Sequence, residues 1–430
     1  MKIIDYKNLT SKQIEKLLSR PAIKTAEIYE QVQPILQNVK KKGKKAVISY
    51  AKKFDGLKRE NILASKNELL NAEKKLSKDV RKAILTAADN IFKFHEMQKR
   101  NDYEIETMQG IKCWRKSVPI ENVGLYIPGG SAILVSTMLM LGIPAKIAGC
   151  KRVVVCSPVK NEINPALAFA SRICEVDEFY KIGGAHSIAM MAYGTEDVKK
   201  VDKIFGPGNQ YVTAAKTLVS IDPDGCAIDM PAGPSEVLII ADESAVSSFV
   251  AADLLSQAEH GEDSQVILVT TSKNLAEQVL IDLKNQIQLM PRKLIAEKSL
   301  NNSRIILVQN LDEAIEISNK YAPEHLILAV KNYNKFINKI VNAGSVFIGN
   351  YSPESAGDYA SGTNHSLPTY GYAKSYSGVS VDSFMKSITF QKLSKDGLNK
   401  IAETVISLAE TEGLQAHANA IKIRIEDGYK

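Results

Sequence analysis

Over the first hundred residues, apolar positions recur at intervals of three and four, as in AEIYEQVQPILQNVKKKGKKAVISYAKKFD and NELLNAEKKLSKDVRKAILTAADNIFKFHEMQKR. That spacing predicts amphipathic helices that serve packing or an interface. From about residue 106 the rhythm changes to short apolar runs followed by helical stretches. VGLYIP leads to STMLMLGIPAKIAG, RVVVCSP to PALAFASRICEV, EFYKIGG to HSIAMMAYG, and KIFGPG to NQYVTAAKTLVS. Strand-to-helix alternation of this kind is the mark of βαβ units and a parallel sheet.

A second block repeats the layout: EVLIIAD, SQVILVTT and RIILVQ alternate with helical runs, before LDEAIEISNKYAPEHLILAV and NKIVNAGSVFIG. Two stacked α/β/α units are therefore expected. After Gly349 the chain turns to Ser, Gly, Tyr and Asn, and it ends in two helical segments that meet at Gly413. In open parallel sheets ligands collect beyond the carboxyl ends of the strands. The turns there are glycine-rich: YIPGGS, IGGAHS and FGPGNQY. Glycine admits close backbone approach and a helix start offers N–H groups to phosphate, although the dinucleotide fingerprint GxGxxG is missing. Taken singly, each pair also fits a tight turn and nothing more.

Composition narrows the class without choosing the chemistry. At 430 residues, 45% apolar and 24% charged, the chain reads as a soluble globular protein of more than one domain. The excess of 55 basic over 48 acidic residues is too thinly spread to indicate a nucleic-acid partner, and KKKGKK at 40–45 reads as a solvated helix face. No run approaches the roughly 18 apolar residues of a membrane span, and MKIIDYKNLT is not a signal sequence, so a cytoplasmic protein is expected. Five cysteines, an odd number without a CxxC pair, argue against a disulfide framework or a thiolate metal site. The cysteines, Cys226 in GCAIDMPAG included, read as small buried hydrophobes rather than as nucleophiles.

KYAPEHLILAV places Glu324 and His325 at the mouth of an apolar strand. An unpaired buried carboxylate or imidazole costs several kcal/mol, so the two are exposed, mutually satisfied, or kept for chemistry. In LLSQAEHG, Gln257 and His260 stand three apart on one helical face, with Asp253 on the same stripe and a glycine following. This is a pair that can share a metal ion, or a helix end with polar residues in solvent. The long segment SPESAGDYASGTNHSLPTYGY carries Asp358 and His365, and AETEGLQAHANA carries Glu412 and His417. Nitrogen and oxygen donors without sulfur suit zinc or a similar divalent ion. His95 is expected to be structural.

YIPGG, GPGN, DMPAGPSEV, LLSQAEHG, YAPEHL, GDYASGTNHSLPTYGYA, YSGVSVDSF and EGLQAHANA occur in the order and approximate spacing of the histidinol dehydrogenase family, which the chain resembles over nearly its whole length. The resemblance implies two stacked Rossmann-like domains of the aldehyde-dehydrogenase-like kind, with helical N- and C-terminal extensions. The expected division is a 1–24 arm, a domain from 25–115 and 236–370 carrying metal and acid-base residues, a 116–235 domain on the NAD side, and a 371–430 helical extension reaching the partner's site. It implies the zinc-dependent, NAD-linked oxidation of L-histidinol to L-histidine through L-histidinal, the last step of histidine biosynthesis.

By the same resemblance, zinc is bound by Gln257, His260, Asp358 and His417, the last from the other subunit of a homodimer. These residues, with Ser235, His325 and Glu412, also hold the substrate. His325 is implied as the general base and Glu324 as the activator of water, while Tyr126, His186 and Asn209 match the NAD-contacting positions. One departure is visible: the family has glutamine where GGAHS has His186. His365 is expected to be structural. Competing readings are a relative acting on another small polar alcohol, a zinc hydrolase that needs no nucleotide, and a catalytically silent metal-dependent dimer.

Overall fold

The computed structural model describes residues 1–21, 25–58, 61–99, 101–129, 133–231 and 233–426. The chain forms two compact units, one of residues 1–98 and 120–384, the other of residues 99–119 and 385–430.

The first unit contains two wholly parallel sheets. In the five-stranded sheet the order is Glu178–Tyr180, Arg152–Cys156, Asn122–Tyr126, Lys203–Phe205, Ala227–Ile228, or third, second, first, fourth, fifth along the chain. In the six-stranded sheet Lys2–Asp5 is followed by Arg304–Leu307, Gln265–Thr270, Glu236–Ala241, His325–Ala329 and Ser345–Ile348. Leaving the N-terminal strand aside, this is the same order again, so the repeated layout read from the sequence is a repeated topology.

Both faces of each sheet are covered, which is why the strands read as continuous apolar runs rather than as alternating ones. All six residues of Glu236–Ala241 and of Gln265–Thr270 are buried. Helices Ser247–Ala258, Lys273–Gln286 and Lys293–Asn301 supply one face of that core through Leu254, Val279 and Ala296. Ser11–Leu17 and Leu311–Tyr321 supply the other through Leu17, Ile315 and Tyr321.

The expected domain division differs from the packing. Helices Thr25–Tyr50, Lys66–Lys74 and Lys78–Glu96, expected to belong with 236–370, pack on the helices of the five-stranded sheet, with Val32, Leu36 and Val47 in the same core as Ile188 and Met190. Amphipathic periodicity shows that a helix buries one face, and carries no information about which sheet receives it. The supposed 1–24 arm includes the edge strand Lys2–Asp5 and the helix Ser11–Leu17. His95 is structural as expected: it is fully buried, with Nδ1 2.8 Å from the Ile91 carbonyl and Nε2 3.2 Å from Asn364 Nδ2.

In the second unit, Tyr103–Met108, Ile111–Pro119 and Met385–Leu393 form an antiparallel sheet with Ile111–Pro119 in the middle, where Trp114 stacks on Phe390 at 5.3 Å. The helical extension expected over 371–430 also contains the nine-residue strand Met385–Leu393. Helices Lys395–Thr411 and Gln415–Glu426 then pack together, and the chain reverses at Gly413, whose φ of +73° disfavours any residue with a Cβ.

Candidate active site

Helix Leu311–Tyr321 is started by the Asn310 side chain, which accepts the Glu313 N–H at 2.9 Å, and ends at Ala322 in the left-handed region. Pro323 cannot continue it. The chain therefore enters the strand His325–Ala329 abruptly, with Glu324 and His325 at its amino end, both buried. The neighbouring strand begins with Glu236, and its main chain meets both side chains. The Glu236 N–H donates to Glu324 Oε2 at 2.8 Å, and the Glu236 carbonyl lies 3.0 Å from His325 Nδ1.

A carbonyl only accepts, so Nδ1 carries a proton, and whenever the ring is neutral its lone pair is on Nε2. Nε2 has no hydrogen-bond partner among the described residues, and Asp358 Oδ1 is 3.4 Å away. Glu324 Oε2 is 3.5 Å from Nδ1 on the other edge of the ring. Burial alone pushes the imidazole pKa down, but Glu324 and Asp358 outweigh it and hold His325 well above the ordinary histidine value. Phe347 lies beside the ring, centroids 6.0 Å apart.

Gln257, near the end of helix Ser247–Ala258, is 1% exposed, and neither atom of its carboxamide has a hydrogen-bond partner among the described residues. A desolvated, unanswered amide is a standing cost of about 1–3 kcal/mol and points to an absent group. His260 follows the helix end and is exposed. Asp358 sits on the short helix Glu354–Tyr359; burial would raise its carboxyl, but His325 more than offsets this, with help from His365 and His260. His365 Nδ1 is 2.9 Å from the Asp358 carbonyl and its Nε2 is 3.0 Å from the Thr137 hydroxyl, so this histidine fixes main chain, as expected of a structural residue. Among the described residues no three His, Cys, Asp or Glu side chains form a metal cluster. The donors this chain offers are two of those types plus the amide of Gln257.

Glu236, Glu324 and His325 lie at the amino ends of strands of the six-stranded sheet, and Gln257 and Asp358 near the carboxyl ends of their helices, opposite to the end where ligands were expected. The five-stranded sheet does follow the expectation. Its order reverses between Asn122–Tyr126 and Lys203–Phe205, and Tyr126 and the Gly206–Asn209 turn stand at the carboxyl ends there. Gly206 (φ +117°) approaches so closely that a Cβ would sit 2.2 Å from the Tyr126 carbonyl oxygen. The buried Lys216 and Asp229, paired at 2.5 Å, hold its carbonyl and N–H at 2.7 and 2.8 Å. Asn209 is exposed; its Oδ1 caps helix Gln210–Ile221, leaving the amide NH2 for other contacts.

His186, implied by the resemblance as an NAD contact, lies in the interior. It is 1% exposed, its Nε2 is 3.0 Å from Asp55 Oδ2, and its ring lies 6.2 Å from those of Tyr50 and Phe54. Tyr126 is also buried, its hydroxyl accepting the Gly184 N–H at 3.2 Å. Ser235 is half-buried immediately before Glu236. Glu412 and His417 belong to the second unit, where both are exposed. The cysteines are all free, and burial pushes the Cys226 thiol up to about 12, which removes it as a nucleophile near neutrality.

Sequence reading missed Glu236, Arg20 and Glu354. The carboxylate heading the otherwise apolar strand EVLIIA was a readable signal, whereas Arg20 carried none. Glu354, 2% exposed, accepts from the Ser256 hydroxyl at 3.1 and 3.2 Å; burial and this neighbouring carboxylate push Asp253 up to about 7.

Residues 18–425 match the family model described as histidinol dehydrogenase. The chain is similar to the histidinol dehydrogenase of Bacteroides fragilis, 51% identical over 429 residues and 99% of each chain, and to that of Campylobacter jejuni strain RM1221, 53% identical over 427 residues and 99% of each. The crystal structure of histidinol dehydrogenase from Elizabethkingia anophelis superposes with a TM-score of 0.95 at 50% identity, covering 99% of this chain and 98% of that one.

Proposed function

The chain belongs to the histidinol dehydrogenase family and oxidises histidinol in histidine biosynthesis, and from that premise we propose an NAD-linked, four-electron reaction in which His325 and Glu324 handle the protons. The single observation that carries the acid-base assignment is the clamp of both side chains by the Glu236 main chain.

With Nδ1–H held by the Glu236 carbonyl, Nε2 is the atom that takes the alcohol proton as the carbinol carbon gives up hydride. The aldehyde then adds water across its carbonyl. Glu324 takes a proton from that water while the His325 imidazolium returns its proton to the carbonyl oxygen, which leaves the imidazole neutral; since Oε2 is held by the Glu236 N–H, Oε1 is the oxygen for this task. The hydrate loses a second hydride while His325, again neutral, takes the hydroxyl proton. Tyr126 and Asn209 would hold NAD⁺ at the switch point, and two NAD⁺ in turn would supply the acceptor for the two hydrides. A second reading keeps Glu324 as the electrostatic partner of the His325 imidazolium, favoured by its 3.5 Å approach to Nδ1.

Zinc, when bound, supplies a fixed anchor for the imidazole and amino nitrogens of the substrate, and Gln257, His260 and Asp358 with His417 of the partner subunit would hold it. The orphaned Gln257 amide supports that donor set. Ser235 and Glu412 are proposed to hold the substrate, so the working unit is a homodimer with shared sites. Five free cysteines are in keeping with the cytoplasm as its compartment. Among the described residues no helix is long and apolar enough to cross a membrane.

The test is the number of NADH formed per L-histidinol consumed by the zinc-loaded protein with excess NAD⁺. Two is expected. One would mean that the aldehyde leaves and the water step is wrong; turnover without NAD would indicate a hydrolase.

A further inference from the structure

Glu236 is 2% exposed, and a carboxylate so buried persists only with a partner. Arg20, from the N-terminal segment, is that partner: Nε reaches Oε1 at 2.5 Å and Nη2 reaches Oε2 at 2.9 Å. The same Nη2 donates to the Tyr321 carbonyl at 2.8 Å and to the Ala322 carbonyl at 3.3 Å, the last two before Pro323 and Glu324. The guanidinium lies over the Tyr321 ring, 3.9 Å from its centroid, and Glu236 Oε1 also accepts the Tyr370 N–H at 3.0 Å. One arginine thus joins the start of Glu236–Ala241, the chain entering His325–Ala329, and, through Glu236, the loop at Tyr370.

The two strands are already paired through the register from His325 with Val237 to Ala329 with Ala241. On that side Glu236 lies one position before the first pair, while on its other side it pairs with Gln265. Yet Glu236 is the residue whose N–H and carbonyl set Glu324 Oε2 and His325 Nδ1. We propose that the Arg20–Glu236 pair is a positioning element that holds the main chain of Glu236 against Glu324 and His325 and so fixes the tautomer and direction of the base. This rests on the reading of Glu324 and His325 as the acid-base pair.

A buried ion pair replaced on both sides by apolar residues of similar size is often neutral for stability, whereas removing one partner strands a charge. The informative variant is therefore R20M/E236M, assayed as zinc-loaded protein beside R20K, which keeps the charge but cannot reach Glu236 and both carbonyls together. Displacement of catalytic groups by about 1 Å can cost about 10²-fold. The expected result is a parent-like melting temperature in both variants, kcat lower by about 10- to 100-fold in R20M/E236M and by less in R20K, and a histidinol KM within about 3-fold of the parent. A parent-like kcat in R20M/E236M overturns the proposal. If that variant melts early, R20K decides: an unchanged kcat overturns the proposal, and a lowered kcat at unchanged KM and melting temperature sustains it. His325→Asn run in parallel separates the two readings, because a fully active His325→Asn would sink the acid-base assignment itself.

Discussion

His186 Nε2 and Asp55 Oδ2 are 3.0 Å apart, and the same carboxylate oxygen accepts the Gly183 N–H at 3.1 Å. The imidazole is thus spent inside the protein on holding the glycine turn that was expected to face the dinucleotide. His186→Ala should lose about 1–3 kcal/mol of stability, since it leaves Asp55 Oδ2 with the Gly183 N–H but without the imidazole and empties the space beside Tyr50 and Phe54. His186→Gln, which can still donate to Asp55, should keep the KM for NAD within about 3-fold of the parent. Steady-state kinetics beside thermal melts check this. A rise of tens of fold in that KM without a change in melting would restore the direct contact.

His325→Ala should lower kcat by about 10² to 10⁴, the range for a lost general acid or base. Glu324→Gln should slow the oxidation of histidinal more than that of histidinol, measured as separate half-reactions. Equal slowing in both would favour Glu324 as the electrostatic partner of His325 over the activator of water.

The unanswered amide of Gln257 gives the metal reading a test that needs no turnover. Gln257→Met removes a desolvated polar group, so the metal-free protein should gain about 1–3 kcal/mol in melts. Zinc retention after dialysis, measured by elemental analysis, should fall at least about 10-fold, as for other lost ligands and their supports. Retained zinc with lost stability would mean that the amide answers to something else.

Glu73 joins three helices, accepting from Arg172 at 2.8 and 3.0 Å and from Arg81 at 3.0 Å. Arg172, ahead of Arg81, holds its carboxyl below the usual range against the pull of burial. A depressed carboxylate stabilises the fold above its unfolded pKa of about 4.3 and ceases to do so as pH falls through its folded value. Glu73→Gln should accordingly cost about 1–3 kcal/mol at pH 7, with the difference from the parent fading in melts below about pH 4. A gap that stays constant to pH 3 would place the effect in packing instead.

The strands were legible because a sheet covered on both faces demands unbroken apolar runs: VGLYIP, RVVVCSP, EVLIIAD and SQVILVTT each became a parallel strand within a residue or two. The motifs carried the family, and with it the residues to inspect. Periodicity could not assign helices 25–96 to a sheet, because an apolar stripe states only that it is buried. Nor could it announce Met385–Leu393, whose residues are exposed or half-buried and lack the continuous apolar run of a covered strand. The sequence by itself determined which segments are strands and which side chains can do chemistry, since both depend on local spacing and residue type. Only the tertiary structure decided that Glu236, some ninety residues from His325, turns its main chain to that imidazole, and that Arg20 secures it. Those contacts follow from which strands lie side by side, and that is settled by the packing of the whole core.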